Sequence, residues 1–337
     1  MKSHGMKRLW LWGAVWILFT GQLKSADIPA CYGYVDQVLW VVSDVENTME
    51  KYSMLGFSQF MDLGTVEVRC ENSQRKAQVR LVCANLAGAH ISWIQPLGGE
   101  SIFGDFHEEH GDAAISLVHR FTGKKEMQNE IRRLNNLGIG TLDRITLETD
   151  RGELSFVLMD TEPGGKYVLG FTYGDGGLDI QRALGDGNRL GLQLNQYAFA
   201  IRDPRPVSDF WERIGLPALE ISHPELGEPK YYGKPADHEL IQGWQRHGTI
   251  AYEWCIPVKP PTVYGDHIEK HGEGIQHLAF SVADMDQVLE DYTSQGFVVS
   301  MGGTWGEKGK PGSGRYEYID LEDAGGVTME LLWNYKE

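Results

Sequence analysis

The feature that most constrains the fold is a pattern that occurs four times along the chain. In each copy an alternating strand is followed by a short turn, an amphipathic helix and a Gly that precedes an apolar residue. The strands begin near residues 35, 114, 195 and 275, and the glycines are Gly56, Gly138, Gly215 and Gly296. A glycine suits a helix end that needs a left-handed residue. The repeat therefore predicts a fold built from four similar units.

Each copy continues with two or three further strand-like runs, so the repeating unit is predicted to be β-α-β-β-β, an α+β arrangement. One such unit is too small to bury both faces of its sheet, whereas two units side by side form a curved, eight-stranded half-barrel. We therefore expect four units paired into two modules, over residues 32–175 and 191–335, joined by the Gly- and Asp-rich linker 174–191. The similarity of segments 107–112 (HEEHGD) and 267–273 (HIEKHGE) supports this duplication.

The composition excludes several classes of protein. Hydrophobic residues make up 42% and charged residues 23% of the 337 positions, which is typical of a folded globular chain and not of a disordered or polytopic membrane protein. Acidic residues outnumber basic ones by 47 to 31, giving a net charge of −16. Because phosphate backbones are bound by clustered basic residues, we expect no nucleic-acid partner.

The N-terminal segment is typical of an export signal. Lys2, Lys7 and Arg8 precede an apolar stretch over residues 9–21, which is shorter than the roughly 20 residues that a membrane-spanning helix needs. A signal peptide over residues 1–25 predicts a periplasmic or secreted protein without a stable membrane span.

Cleavage of this signal is expected after Ser25, because Leu23 and Ser25 suit positions −3 and −1 of a cleavage site. The alternative is a lipid anchor at Cys31, which follows the residues Ile-Pro-Ala. Pro29 and the distance from the apolar stretch disfavour that anchor.

The chain contains four cysteines, Cys31, Cys70, Cys83 and Cys255. Export permits disulfides, but the spacing of these residues fixes no pairing and forms no Cys-x-x-Cys motif. The default expectation is that they are small buried hydrophobic side chains.

Two stretches of the second module carry a family resemblance, residues 267–282 (HIEKHGEGIQHLAFSV) and 323–332 (DAGGVTMELL). Together with the repeated architecture, they resemble the vicinal oxygen chelate superfamily, which includes glyoxalase I, methylmalonyl-CoA epimerase and extradiol dioxygenases. The second module is most similar to methylmalonyl-CoA epimerase. The resemblance implies two half-barrel modules of the vicinal oxygen chelate type, with a divalent metal ion held inside a half-barrel.

For this chain the resemblance implies one divalent metal ion, Mg²⁺, Mn²⁺, Co²⁺, Ni²⁺ or Zn²⁺, bound by Gln196, Glu253, His277 and Glu330. Each of these residues lies in a strand-like run with apolar neighbours, where an unpaired inward carboxylate would be costly. A mixture of carboxylate, amide and imidazole ligands suits such cations and leaves positions open to substrate.

The corresponding positions of the first module carry Gln37, Ser92, Leu169 and either Ser116 or Ala114. Ser, Ala and Leu side chains cannot form the same site. We therefore expect the first module to be a degenerate, metal-free partner that forms a wall of the pocket or pairs in a homodimer.

The resemblance implies an isomerase, epimerase or lyase that abstracts the proton alpha to a metal-bound carbonyl or carboxylate of a small-molecule acid or carbonyl substrate. Glu330 is the first choice for the base and Glu253 the second, each being also a ligand. The alternatives are an extradiol-type dioxygenase, which would usually have two His ligands, and a non-catalytic secreted small-molecule binding protein. An export signal conflicts with a coenzyme A thioester as substrate.

Two further features have less specific interpretations. His267 and His271 are spaced to share one helix face, and we expect them to be exposed to solvent. The Gly-rich segment 302–314 is expected to be a mobile loop, whose Lys308 and Lys310 either contact an anionic substrate or are simply solvated.

Overall fold

The computed structural model describes residues 29–174 and 183–335. Within these ranges the chain forms 18 strands, seven α-helices and two short 3₁₀ helices. The α+β class predicted from the repeat is confirmed. The predicted signal peptide lies outside the described residues, as do residues 175–182 of the predicted linker.

The strands of the first half are β1 Gln37–Val41, β2 Phe60–Cys70, β3 Arg75–Leu86, β4 Ala89–Gly99, β5 Ala113–Phe121, β6 Thr141–Thr149, β7 Gly152–Met159 and β8 Val168–Tyr173. Those of the second half are β9 Gln193–Ala200, β10 Glu220–Ser222, β11 Leu226–Tyr231, β12 Lys234–Pro235, β13 Glu239–Arg246, β14 Ala251–Lys259, β15 Gly274–Ser281, β16 Val299–Trp305, β17 Gly314–Ile319 and β18 Thr328–Asn334.

The α-helices are α1 Val45–Met54, α2 Ile102–His110, α3 Lys124–Asn136, α4 Glu162–Gly165, α5 Pro204–Arg213, α6 Val263–His271 and α7 Met285–Ser294. The 3₁₀ helices are Ala30–Gly33 and Glu322–Ala324.

The crossover helices begin in the same way in three of the four copies. The side chains of Asp44, Asp203 and Asp284 accept hydrogen bonds from backbone N–H groups in the first turns of α1, α5 and α7. This N-cap satisfies donors that a helix start leaves free. At the other end, the repeated glycine has a positive φ, for example +93° at Gly56, which a residue with a Cβ adopts only with strain.

The first module closes into a complete barrel. Strand β1 runs parallel to β4 and antiparallel to β5, and β5 runs parallel to β8. Antiparallel ladders join β4 to β3, β3 to β2, β8 to β7 and β7 to β6. Residues 67–70 of β2 then pair with residues 145–148 of β6, which closes the ring of eight strands where the sequence predicted an open half-barrel.

The second module repeats these pairings but stays open. Strand β9 runs parallel to β14 and antiparallel to β15, and β15 runs parallel to β18. The strand that corresponds to β2 is divided into β10, which pairs with β13, and β11, which pairs with β16. Pro224 lies in the break, and a proline has no N–H for a sheet ladder. The barrel is therefore open between β10 and β11.

The interiors of the two modules differ accordingly. The first is filled by buried apolar side chains from all its strands, among them Leu39, Val79, Ile94, Leu147 and Phe156. The second contains buried polar side chains between its strands, and a cavity reaches them from the open side.

The two modules pack directly against each other. Ile275 of β15 pairs with Ala114 of β5, and the Trp40 indole donates a hydrogen bond of 2.6 Å to the carbonyl of Gly325. The similar segments 107–112 and 267–273 meet at this joint. The Nδ1 atoms of His110 and His271 lie 2.7 and 2.6 Å from each other's backbone oxygens, so the contact repeats the duplication in space.

The four cysteines are all buried, unpaired thiols. Cys31 packs in the main apolar core, where burial raises the pKa of its thiol to about 12. Within the described ranges, no helix combines the length and the apolar character needed to span a bilayer.

Candidate metal centre

Four neighbouring strands bring the predicted ligands together. They lie side by side in the order β14, β9, β15 and β18. Ala279 of β15 pairs with Gln196 on one side and with Glu330 on the other, while Ala198 of β9 pairs with both His277 and Glu253. Because side chains alternate along strands, this register places all four predicted side chains on the inner face of the module.

The buried side chains of Gln196, Glu253, His277 and Glu330 form one cluster. The Gln196 Nε2 donates hydrogen bonds of 2.6 Å to Glu253 Oε2 and 3.1 Å to Glu330 Oε2. The His277 Nε2 lies 3.6 Å from Glu253 Oε2 and 3.3 Å from Glu330 Oε2. One ligand atom from each of the two glutamates and the histidine lies within 4.8 Å of the others.

The carboxylates of Glu253 and Glu330 face the single imidazole of His277. The pKa values of His277 and Glu330 are shifted as a result. Burial lowers the pKa of His277, but the two facing carboxylates outweigh burial and raise it to about 9. Burial also raises the pKa of the Glu330 carboxyl, against the opposing effect of His277. Since buried carboxylates need a positive partner, a cation at this position would satisfy the whole cluster.

The residues present fit a divalent cation. The Nε2 atom of His277 is buried and makes no hydrogen bond, although its ring is completely enclosed. The Nε2 atom lies 3.3 to 3.6 Å from two carboxylate oxygens, and it can bind a metal ion once the imidazolium releases its proton. The structure therefore contains, among its described residues, a buried cluster that could hold the predicted divalent metal ion.

Gln196 is placed beside the cluster, with its amide nitrogen facing the carboxylates. Ligation by Gln196 requires the amide to turn, so that Oε1 replaces Nε2. Since the two ends of an amide differ only in their hydrogen-bonding partners, such a turn needs little space. The assignment of Gln196, Glu253, His277 and Glu330 as the ligand set stays a prediction.

A cavity of about 330 Å³ leads from the open side of the second module to Gln196, Glu253 and Glu330. Its walls are mainly apolar and aromatic: Pro224, Leu226, Leu240, Trp244, Trp305, Tyr316 and Leu332. Asn195, Gln242 and Asn334 add neutral amides. Among the described residues that line this cavity there is no Lys or Arg.

The segment 302–314 reaches the cavity through one residue, and its two lysines do not line the cavity. Its Trp305 lines the cavity, but Lys308 and Lys310 are exposed outside it, and the Lys308 ammonium lies over the ring of Tyr335. Of the two interpretations left open for these lysines, the structure favours solvated side chains.

The first module has no such cluster among its described residues. Gln37 and Ser92 were predicted to be the counterparts of Gln196 and Glu253. The two side chains do meet, and the Gln37 amide donates a hydrogen bond to the Ser92 hydroxyl. Strand pairing gives a different residue at the position of Glu330, however. Val118 pairs with both Gln37 and Gly170, just as Ala279 pairs with Gln196 and Glu330, so the counterpart is Gly170 and not Leu169.

The expectation of exposed His267 and His271 was wrong. Their residues are only 6% and 5% exposed, because α6 packs at the joint between the modules. His271 Nε2 lies 3.0 Å from Glu322 Oε1, and burial lowers the pKa of His267 to about 3. These histidines serve the joint between the modules and do not enter the metal cluster.

Sequence reasoning missed two amides around the cluster. The Gln242 Nε2 donates a hydrogen bond of 2.5 Å to Glu253 Oε1, and the Gln276 Oε1 lies 2.6 Å from His277 Nδ1. The alternation of β13 could have indicated Gln242, since it lies on a strand that neighbours β14. No pattern indicated Gln276, because alternation places adjacent residues on opposite faces.

Comparison with known proteins agrees with this arrangement. Residues 195–314 match the family model of the Glyoxalase/Bleomycin resistance protein/Dioxygenase superfamily. A mutant of 4-hydroxymandelate synthase from Streptomyces coelicolor is 15% identical with a TM-score of 0.54, and the match covers 90% of this chain and 94% of that one. A fusion of a xylose isomerase-like TIM barrel with 4-hydroxyphenylpyruvate dioxygenase is 12% identical with a TM-score of 0.51, over 90% of this chain and 49% of that one.

Methylmalonyl-CoA epimerase from Mycobacterium tuberculosis is 22% identical, with a TM-score of 0.31 over 42% of this chain and 88% of that one. The match to 4-hydroxymandelate synthase, which spans both modules, shows a shared fold and does not define a reaction. The family match covers residues 195–314, and over this range the predicted resemblance to the glyoxalase, bleomycin-resistance and dioxygenase superfamily, the vicinal oxygen chelate proteins, is confirmed.

Proposed function

We propose that this protein is a divalent-metal-dependent enzyme that moves a proton on the carbon alpha to a carbonyl group, as an isomerase, epimerase or lyase. The donor set carries the proposal. Two carboxylates and one amide line the cavity, and a single imidazole lies behind them within the cluster. Non-haem iron oxygenases typically use two His and one carboxylate, whereas this cluster has one His and a second carboxylate that is available as a base.

The surroundings of the two glutamates favour Glu330 as that base. Gln242 donates a hydrogen bond of 2.5 Å to Glu253 Oε1, and this bond does not depend on which way the Gln196 amide is turned. The bond occupies one oxygen of Glu253 and fixes the orientation of its carboxylate. Glu330 lines the cavity, and burial raises the pKa of its carboxyl group, which favours uptake of a proton. Its oxygens are therefore better placed to remove and return a substrate proton.

A bound divalent cation would supply Lewis-acid stabilisation of the negative charge that develops on the substrate oxygen. The chain itself orients the substrate. Gln242 offers a neutral polar group beside Glu253, and Trp244 and Trp305 supply apolar wall for the remainder of the substrate. The limited access of water strengthens electrostatic interactions inside such a site.

The lining supports a small acid or carbonyl compound as the substrate. Because no described Lys or Arg lines the cavity, a phosphate or a second carboxylate would have no cationic partner in its walls. This lining suits a substrate with one polar end and an otherwise uncharged body.

The test is deuterium exchange into 2-oxobutyrate and 2-methyl acids in D₂O, with full-length protein loaded with Co²⁺ or Mn²⁺ and the chelator-treated protein as control. The proposal predicts metal-dependent deuterium at the carbon alpha to the carbonyl, without oxygen consumption. Oxygen uptake by the Fe²⁺-loaded protein with a catechol and no exchange would instead establish a dioxygenase. Tight binding of these acids with neither reaction would establish a binding protein.

We also propose that residues 1–25 direct export and that residues 32–175 and 191–335 are the two modules. The positive, apolar N-terminus and the repeated strand pairings support these boundaries. The metal-free first module then acts as a scaffold that packs against the metal-binding one.

A further inference from the structure

A β-bulge lies directly beside the imidazole of the cluster. In the pairing of β15 with β9, Ile275 pairs with Phe199 and His277 pairs with Ala198, so Gln276 is an additional residue without a partner. A bulge of this kind turns a side chain away from the normal alternation. Gln276 and His277 are consecutive residues, yet both are completely buried and their side chains touch.

The contact fixes which nitrogen of His277 faces the carboxylates. The Gln276 Oε1 lies 2.6 Å from Nδ1, and an amide oxygen can only accept, so Nδ1 carries the proton. The other nitrogen, Nε2, then faces Glu253 and Glu330 and makes no hydrogen bond of its own. The partner of one ring nitrogen sets the tautomer and orientation that the other nitrogen presents to a metal.

Packing alone does not explain the amide of Gln276. Its Nε2 is buried without a hydrogen-bond partner, and such a group costs about 1–3 kcal/mol. An apolar side chain of similar volume would fill the same space without that cost. The favourable feature of this residue is therefore its Oε1 contact with the imidazole.

The first module provides an internal comparison. In the pairing of β1 with β5, Leu39 pairs with Ser116 and Trp40 with Ala114, so Ile115 is the additional residue of an equivalent bulge. Ser116 is the counterpart of His277, and Ile115 is the counterpart of Gln276. The same bulge carries an apolar residue where no imidazole follows it, and an amide where one does.

We propose that Gln276 is a positioning residue, which holds the His277 ring in the tautomer and plane that direct Nε2 at the metal ion. This inference rests on the cluster being a metal centre, as the proposed function also requires, but not on the reaction catalysed there. Gln276 reaches the ion only through His277, so its effect should be seen first in metal affinity and ligand geometry.

The test compares Gln276→Leu with Gln276→Glu in the full-length protein, with Co²⁺ as the probe. Affinity is measured by competition with a chromophoric chelator, and ligand geometry by the visible absorption of Co²⁺. Loss of a residue that orients a metal-binding His typically costs 10–100-fold in affinity. We expect that loss and an altered spectrum for Gln276→Leu. Gln276→Glu keeps an acceptor at Nδ1 and should restore affinity to the wild-type level or above it.

Gln37→Leu is the matched control, because it removes a buried amide from the metal-free module and should leave Co²⁺ binding unchanged. Wild-type affinity and spectrum in folded Gln276→Leu would overturn the proposal. If Gln276→Leu does not fold, Gln276→Met takes its place, because it also removes the acceptor at Nδ1 while nearly keeping the side-chain volume. Wild-type affinity and spectrum in folded Gln276→Met would refute the positioning role. Wild-type protein that binds Co²⁺ but exchanges no deuterium would contradict the proposed function alone.

Discussion

Exchanging each glutamate of the cluster for glutamine should separate the two carboxylates by role. Glu253 accepts one hydrogen bond on each carboxylate oxygen, from Gln196 at 2.6 Å and from Gln242 at 2.5 Å. Glu330 accepts from Gln196 at 3.1 Å, and a hydrogen bond with the Tyr318 hydroxyl also stabilises its charged form. A glutamine has a single acceptor oxygen, so it can satisfy one of these donors and not two.

These contacts set the expected loss of stability. In Glu253→Gln, one amide donor is left facing the new NH₂ group, and a buried unsatisfied donor costs about 1–3 kcal/mol. In Glu330→Gln, the new carbonyl oxygen can still accept from Gln196. Both changes remove one carboxylate beside His277. We therefore expect Glu253→Gln to be less stable than Glu330→Gln by about 1–3 kcal/mol in the metal-free protein.

The loss of catalytic activity should be larger in Glu330→Gln than in Glu253→Gln, which is the opposite of the order expected for stability. An amide is not basic at neutral pH, so Glu330→Gln should lower deuterium exchange by at least the roughly 10²-fold that a general base contributes, or about 2.7 kcal/mol of barrier. Its amide oxygen can still coordinate, and metal affinity should fall modestly. Glu253→Gln should show the milder loss of exchange, because its role is mainly coordination.

Urea unfolding in the presence of a chelator measures the stabilities, and mass spectrometry of the substrate in D₂O measures exchange. A Glu330→Gln protein that retains metal and exchanges deuterium near the wild-type rate would show that the base lies elsewhere, with Glu253 as the next candidate. Equal stability of the two variants would show that the two amide bonds to Glu253 are not formed as described.

Three further predictions concern the scaffold and the chain terminus. Burial lowers the pKa of His119 to about 4, below the roughly 6.5 of an unfolded chain, so His119 takes up a proton more readily in the unfolded state between these pH values. This residue should therefore contribute about 2 kcal/mol to the loss of stability from pH 7 to pH 5. In urea titrations at both pH values, the loss in His119→Asn should be smaller than the wild-type loss by that amount. Trp40→Phe removes the hydrogen bond to Gly325 and should cost about 1–3 kcal/mol, whereas the control Trp93→Phe, whose indole N–H is unpartnered, should cost less in the same unfolding assay. The mature protein from its native host should begin after Ser25 by intact mass, and a retained Met1 would reject export.

Much of the fold could be predicted because the repeat is encoded locally. Asp44, Asp203 and Asp284 mark helix starts, and the glycines that follow the helices mark their ends. Closure of the first barrel could not be predicted, since it depends on β2 meeting β6 across about 80 residues. The opening of the second depends on the interruption at Pro224, whose consequence appears only when β10 and β11 take different partners.

The candidate site, like the fold, was predicted only in part. The resemblance to the vicinal oxygen chelate superfamily was enough to propose Gln196, Glu253, His277 and Glu330, and the structure brings them together. Gln276 was not predicted because a bulge breaks the alternation of side chains along β15, and the exact counterpart of Glu330 in the first module needed the strand register. His267 and His271 were misjudged because the polar segment that carries them is covered by the other module.

Metal content is the most direct test of the central claim, that the buried cluster of Glu253, His277 and Glu330 is a metal centre and the first module has none. Purified protein is loaded with Co²⁺, desalted and analysed by elemental mass spectrometry, beside a Glu253→Ala, His277→Ala variant and a Gln37→Ala, Ser92→Ala control. We predict one ion per chain in the wild type and the control, and none in the cluster variant. Two ions per chain, or an unchanged content in the cluster variant, would contradict the assignment.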